Sequence, residues 1–115
     1  MAESKAAGLF GFCARSGNLR TGYNTCLALI GQRKVKLLVI SEDVGEKTRD
    51  KMIAKCESQQ VDYRVFGKAE DLSHWTGKND KGLFAITDKG FAESILKEID
   101  RLRSEREAKD GNEVI

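Results

Sequence analysis

A short polar stretch carries the side chains of this sequence that could do chemistry. Arg20, Gly22, Asn24 and Thr25 lie in the segment RTGYNT, at the start of a predicted helix. The first turn of a helix exposes unpaired N–H groups and the positive end of the helix dipole, which attract phosphates and base acceptors. Glycine allows another backbone to approach closely, and asparagine offers a donor and an acceptor to a base edge. The arginine guanidinium can donate two hydrogen bonds to one phosphate. From this local chemistry alone we favour the interpretation that Asn24 and Thr25 only cap the helix, and the alternative is a nucleic-acid contact.

The charge distribution adds a basic stretch to this segment. The chain has 115 residues and a net charge of +2, which by itself does not indicate nucleic acid. Between Arg15 and Lys36, however, every charged residue is basic, while acidic residues gather towards the C-terminus. We therefore expect Arg20, Lys34 and Lys36 to neutralise phosphates.

A second polar loop, in DLSHWTGKND, follows a short predicted helix. Gly77 and Lys78 are expected to form a tight turn there, with Lys78 available to an anion. Trp75, the only tryptophan, has core packing as its simplest role.

The cysteines indicate structure and setting rather than catalysis. Cys13, Cys26 and Cys56 are odd in number, form no C-x-x-C motif and lie in apolar-periodic stretches. We expect three reduced, mostly buried thiols in a cytoplasmic protein. No apolar run approaches the ~20 residues that span a bilayer, and the polar start is not a convincing signal peptide. We expect no membrane contact and a monomer.

The sequence gives little indication of a catalytic or metal-binding site. His74 is the single histidine, so any catalytic Cys–His pair would have to use it. The sequence contains no nucleotide-binding motif and no nucleophile motif. Glu42 and Asp43 follow an apolar strand, where they could form a metal site or an acid–base pair. We favour Asp43 as a cap of the helix that follows it. The sequence predicts no enzyme, no metal and no cofactor.

The elements that must position these residues alternate between helices and short strands. Residues 35–40 form a near-continuous apolar run, which predicts a strand covered on both faces. Residues 61–66 alternate, which indicates a strand with one wetter face, and residues 83–86 are a short apolar strand. The order predicts an α/β fold, a three-layer α/β/α sandwich with a small mixed central sheet of about four strands.

The two terminal helices are expected to bury apolar stripes on this sheet. Leu9, Phe12 and Cys13 form the stripe of the first helix; that of the last helix is formed by Phe91, Ile95, Ile99 and Leu102. We expect the two stripes on opposite or adjacent faces of the sheet. Residues 1–103 are predicted to form a single domain. Residues 104–115 are predicted to be a charged tail that is frayed or disordered.

A family resemblance extends over about residues 4–100. The segments GLFGFCARSGNLRTGYNTCLALIGQRKVKLLVISEDVGEKTRDKMIAKC, DLSHWTGK and FAITDKGFAESIL resemble the kink-turn-binding ribosomal-protein family of the L-seven-Ae type, most of all its bacterial YlxQ-like branch. The family's RNA-binding pattern, Arg-x-Gly-x-Asn, is matched at Arg20, Gly22 and Asn24. The sequence departs from it at Thr25, where the family often has Glu, and at Ala28, where it has Lys.

The second RNA-facing loop of the family is matched only in part. Leu72 and Gly77 agree with its Leu-Gly-x-Ala-x-Gly pattern, while Ser73 and Trp75 replace the first Gly and the Ala.

The resemblance implies a non-catalytic, ribosomal-protein-like RNA-binding protein. By resemblance, residues 22–25 would enter the widened groove of a kinked RNA and contact tandem sheared G·A pairs, and Gly77 and Lys78 would hold a flipped-out nucleotide. The partner would be a structured RNA, such as ribosomal RNA, rather than DNA. The missing Lys at Ala28 removes one contact worth roughly 1–3 kcal/mol. The alternative is a protein–protein interaction module on the same fold, because some members of the family act through protein contacts.

Overall fold

The computed structural model describes the backbone of residues 2–79 and 82–113, and the side chains of residues 5–79 and 82–107. In this part of the chain, helices and strands alternate as follows: α1 Ala2–Arg15, β1 Leu19–Thr21, α2 Tyr23–Gly31, β2 Leu37–Ile40, α3 Glu46–Gln59, β3 Asp62–Val65, α4 Ala69–Thr76, β4 Leu83–Ile86 and α5 Lys89–Glu113.

The four strands form a mixed sheet in the order β1-β4-β2-β3. Strand β4 is antiparallel to both β1 and β2, whereas β2 and β3 are parallel. All four residues of β2 are fully buried, as the apolar run predicts, because β2 is an inner strand and helices cover both faces of the sheet. At the edge of the sheet, β3 has an exposed Asp62 and otherwise half-buried residues, in agreement with a wetter strand.

Side chains of β2 alternate between two apolar clusters, as the period of two along a strand requires. Leu37 and Val39 pack with residues of α1, α4 and α5, and Leu38 and Ile40 pack with residues of α2 and α3. This arrangement confirms the three-layer α/β/α sandwich. The prediction for the two terminal helices is wrong, because α1 and α5 share one face. An apolar stripe shows that a helix is buried, but the chain connections decide on which face.

Helix α1 buries a different stripe from the predicted one. Ala6, Phe10 and Cys13 are buried, while Phe12 is 62% exposed, with the guanidinium carbon of Arg15 at 4.9 Å from its ring centroid. Both stripes have helical spacing, so periodicity could not choose between them. The structure selects Phe10, whose ring centroid lies 6.0 Å from that of Trp75 in α4.

Helix α5 buries Ala92, Ile95 and Ile99 and continues to Glu113. Past the apolar stripe, Arg101 supports the helix by ion pairs with Glu98 at 2.7 Å and Glu105 at 2.6 Å. The backbone is therefore helical from residue 104 to residue 113. The division into a domain of residues 1–103 and a frayed or disordered tail stays a prediction.

Candidate nucleic-acid interface

The start of α2 is built on a glycine rather than on a capping side chain. Gly22 occupies the cap position with φ 102° and ψ 148°, a conformation that only glycine adopts readily. Its carbonyl oxygen accepts the first helical hydrogen bond, from the N–H of Cys26 at 2.9 Å. No side chain of the described residues caps the helix there, so the interpretation in which Asn24 and Thr25 are caps is wrong.

Asn24 and Thr25 are instead the second and third residues of α2, and both are exposed. The N–H groups of this first turn have no acceptor within the helix, by the geometry of helix ends. No acidic side chain lies in the turn to compensate the dipole. The turn can therefore accept a phosphate or base oxygen, and the Asn24 amide can donate and accept beside it.

The second loop reaches the same end of the sheet. Gly77 ends α4 in the left-handed conformation, with φ 71° and ψ 13°, and Lys78 beyond it is exposed. The chain returns at Gly82, whose carbonyl oxygen accepts from the Ser41 N–H at 2.8 Å. The carbonyl oxygen of the next residue, Leu83, accepts from the Gly22 N–H at 3.4 Å. We call this end of the sheet, defined by Gly22, Ser41 and Gly82, the Gly22 end.

Lys34 and Lys36 lie at the opposite end of the sheet. The Lys36 N–H donates to the carbonyl oxygen of Ile86 at 2.8 Å, and Ile86 pairs with both Leu19 and Leu37, the first residues of their strands. Helix α2, nine residues long, carries the chain roughly 14 Å between the two ends. We call the second end, defined by Lys36 and Ile86, the Lys36 end.

Arg20 lies between the two ends, on the edge strand β1. Its guanidinium donates to the carbonyl oxygens of Gly17 at 3.1 Å and Leu19 at 3.3 Å, and is thus folded back from Gly22 towards the Lys36 end. Of the predicted site residues, Gly22, Asn24 and Thr25 lie at the Gly22 end, and the loop of Gly77 and Lys78 leads to it at Gly82. The three residues set apart from that end are Arg20, Lys34 and Lys36.

Glu42 and Asp43 tie two loops together at the Gly22 end. Asp43 Oδ1 accepts from the Ala69 N–H at 2.9 Å, and this hydrogen bond is the main cause that lowers the pKa of Asp43. Glu42 lies 3.7 Å from the ammonium of Lys68. The prediction that Asp43 caps the helix that follows it is wrong, because the cap position of α3 is Gly45 and Asp43 instead accepts from the first N–H of α4. The prediction chose the wrong helix because α4 is distant along the chain.

A recess of about 370 Å³ opens at the Gly22 end between α4, the end of β3 and α5. Phe66, Trp75 and Leu102 line it with apolar surface, and Arg103 and Arg106 add positive charge. Sequence reasoning missed the recess, because its walls come from three separate segments. It assigned Trp75 to the core, whereas the side chain is half-buried and faces both the core and the recess.

All three cysteines are buried and none forms a disulfide, as predicted. Burial raises the pKa of Cys13 to about 12, with a further contribution from Asp88, and burial raises the pKa of Cys56 to about 11. Thiols that stay protonated are poor nucleophiles. Within the residues that the structure describes, no group of three metal-binding side chains is found. No helix in that part of the chain is long and apolar enough to cross a membrane.

Comparison with known proteins finds a matching family and relatives over most of the chain. The family model described as "Ribosomal protein L7Ae/L30e/S12e/Gadd45 family" matches residues 5–96. The chain is similar to RNA-binding protein YlxQ of Enterococcus faecium, with 34% identity over 91 residues, 78% of this chain and 86% of that protein. It is also similar to the large ribosomal subunit protein eL8 of Thermoplasma volcanium, with 31% identity over 98 residues, 84% of this chain and 81% of that protein.

A solved structure shares the fold over nearly its whole length. It is that of a protein with unknown function from Bacillus halodurans, with a TM-score of 0.81 and 30% identity. The match covers 84% of this chain and 97% of the other.

Proposed function

Because the chain belongs to the ribosomal protein L7Ae/L30e/S12e/Gadd45 family, we propose that it is a non-catalytic RNA-binding protein. The names of two similar proteins, an RNA-binding protein and a large-subunit ribosomal protein, support this function. In our proposal it acts as a cytoplasmic monomer and recognises a kink-turn or a similar bent RNA, such as a ribosomal RNA element. Recognition uses the Gly22 end.

The uncapped start of α2 is the observation that carries this proposal. Ser, Thr, Asp or Asn at the cap position stabilises a helix by about 0.5–2 kcal/mol relative to Ala. The chain has Gly22 there and leaves Asn24 exposed one residue into the helix. The polar groups of the first turn are thus available to a ligand, and the ligand that suits them is rich in phosphate and base acceptors.

In this proposal, two segments contact different parts of the RNA. The first turn of α2 enters the groove of the bent RNA, where the Asn24 amide contacts the edges of sheared G·A pairs. Gly77 and Lys78 contact an unstacked nucleotide and its phosphate from the other side. Ala28 is exposed in the second turn of α2, where the family has Lys. The affinity is therefore expected to be weaker by roughly 1–3 kcal/mol than with that lysine.

A binding comparison tests the proposal. The affinity of the purified protein is measured for a kink-turn RNA with tandem G·A pairs and for the same RNA with Watson–Crick pairs in their place. We expect clearly tighter binding to the first RNA. Equal affinity would contradict kink-turn recognition and leave only general RNA binding. No binding of either RNA at low salt would contradict an RNA function and favour the protein-interaction module.

A further inference from the structure

Three helices of this structure end in the same hydrogen-bonded turn, but with different residues at its left-handed position. The residue is Gly17 after α1, with φ 81°, Arg33 after α2, with φ 60°, and Gln60 after α3, with φ 58°. Glycine is the usual occupant of this position, since an L side chain there costs roughly 1–2 kcal/mol. Arg33 and Gln60 are therefore residues that local backbone stability does not favour.

The turn at Arg33 is fully formed by backbone groups. The Arg33 N–H donates to the carbonyl oxygen of Ile30 at 3.0 Å, and the Lys34 N–H donates to that of Leu29 at 3.0 Å. The Arg33 side chain is exposed and forms no ion pair with a carboxylate of the described residues. No contact of the fold in that part of the chain explains why an arginine occupies a strained position.

The neighbours of Arg33 include further exposed cations. Lys34 and Lys36 are exposed, and neither forms an ion pair with a described carboxylate. Across β4, Arg20 is folded onto the Gly17 carbonyl, two strands away from Lys36. Neighbouring strands lie about 4.8 Å apart, so the backbones of β1 and β2 are roughly 10 Å from each other.

Acidic side chains of the described residues also lie at this end. Asp62 of β3 and Glu93 of α5 share a shallow recess with Lys36 and Lys89. Asp88 is engaged at the start of α5, where its Oδ2 accepts from the Phe91 N–H at 2.9 Å. The turn after α2 itself carries positive charge from three residues in four, at positions 33, 34 and 36.

We propose that Arg33, Lys34 and Lys36 form a second RNA contact, which binds the phosphates of a helical segment beside the bend. This contact rests on the RNA binding proposed above and adds to it a separate surface, roughly 14 Å from the Gly22 end along α2. It reads charge and not sequence, since phosphate contacts position an RNA without specifying bases.

Phosphates fit this surface better than a protein does. Stable protein interfaces have a largely apolar centre with few charges. The apolar residues of this turn, Ile30 and Val35, are buried in the core, so that only the cations and Gln32 are offered to a partner. Exposed cations that form no ion pair with a described carboxylate gain most from releasing the counterions of a nucleic acid.

A plain RNA duplex of about 20 base pairs, without a kink-turn, tests the second contact by itself. The variant combines Arg33→Gln, Lys34→Gln and Lys36→Gln and is measured beside the wild type at several salt concentrations. We expect affinity for the duplex to fall roughly 10- to 100-fold at low salt, as three phosphate contacts are lost. The slope of log affinity against log salt should become shallower by about 2–3. Lys97→Gln, an exposed lysine on α5, is the control for a lost charge.

A matched pair of glycine substitutions separates fold from function at the turn. Arg33→Gly and Gln60→Gly relieve the same left-handed strain at the ends of α2 and α3. Both should raise the melting temperature, by about 2–4 °C. Only Arg33→Gly should weaken binding of the duplex, by several-fold.

The outcomes distinguish this inference from the proposed function. Duplex binding that is equal for the triple variant and the wild type overturns the second contact, as does wild-type affinity of Arg33→Gly. A wild type that binds the duplex as tightly as a kink-turn RNA overturns kink-turn recognition instead. In that case a loss of duplex affinity in the triple variant still supports the contact at the Lys36 end.

Discussion

Asn24→Asp should change stability and RNA affinity in opposite directions. Asn24 is the second residue of α2, caps nothing, and lies in a first turn without acidic residues. An aspartate there faces the positive end of the helix dipole and should stabilise the fold by about 0.3–1 kcal/mol. The same change replaces an amide donor by an anion next to RNA. The affinity for a kink-turn RNA should therefore fall by roughly 1–3 kcal/mol, which is a factor of about 5 to 150.

The assay is urea denaturation and RNA titration on the same preparation. Asn24→Ala removes the amide without adding charge and should lose a smaller part of the affinity. Ser94→Asp adds the same charge on an exposed position of α5, and should leave the affinity nearly unchanged, because solvent screens distant charges. The reasoning is refuted if Asn24→Asp binds the RNA like the wild type, or loses no more affinity than Ser94→Asp.

Three further predictions concern the fold. Gly22→Ala should destabilise it by about 1–3 kcal/mol in urea, because φ 102° strains any L residue; a loss below 0.5 kcal/mol would speak against this. Gly8→Ala should stabilise α1 by about 1 kcal/mol, since a Cβ added there meets nothing within 4 Å. At Gly11 an added Cβ lies 3.2 Å from the Trp75 carbonyl oxygen, so Gly11→Ala is the control. An equal gain in the free energy of unfolding for both variants would contradict this. The Arg101 hydrogen bonds hold the pKa of Glu98 below its usual 4.5, so that this stabilisation is present above that pH and lost as pH falls below it. The melting temperature of Glu98→Gln should thus fall less between pH 7 and pH 3 than that of the wild type. An equal decrease would show that Glu98 does not cause this pH dependence.

The strands of the fold could be predicted because burial determines their patterns. The apolar run at residues 35–40 contains β2, and the predicted strand at residues 83–86 coincides with β4. Helix faces were harder, since α1 has two apolar stripes and Phe12 turned out to lie on the exposed one. Only packing against α4 distinguishes these stripes, and that contact is made between segments distant in the sequence.

The segments of the candidate site could be proposed from the sequence for a related reason. Gly22, Asn24, Gly77 and Lys78 belong to two short segments whose chemistry is local, and the chain after Lys78 enters the sheet again at Gly82, at the same end as Gly22. The sequence did not show that Lys34 and Lys36 lie far from Gly22 in the fold, and their role in RNA binding stays a prediction. Helix α2 carries them to the other end, a displacement that charge counting could not reveal.

The most direct test of the central claim is amide NMR of the labelled protein during titration with a kink-turn RNA. The account predicts that the largest shifts fall on residues 22–25 and on Gly77 and Lys78, which are separate in the sequence but share the Gly22 end. Amides in the middle of α5, near Lys97, should stay unchanged. Shifts that spare residues 22–25, or an RNA that leaves the whole spectrum unchanged, would contradict the claim that this end binds RNA.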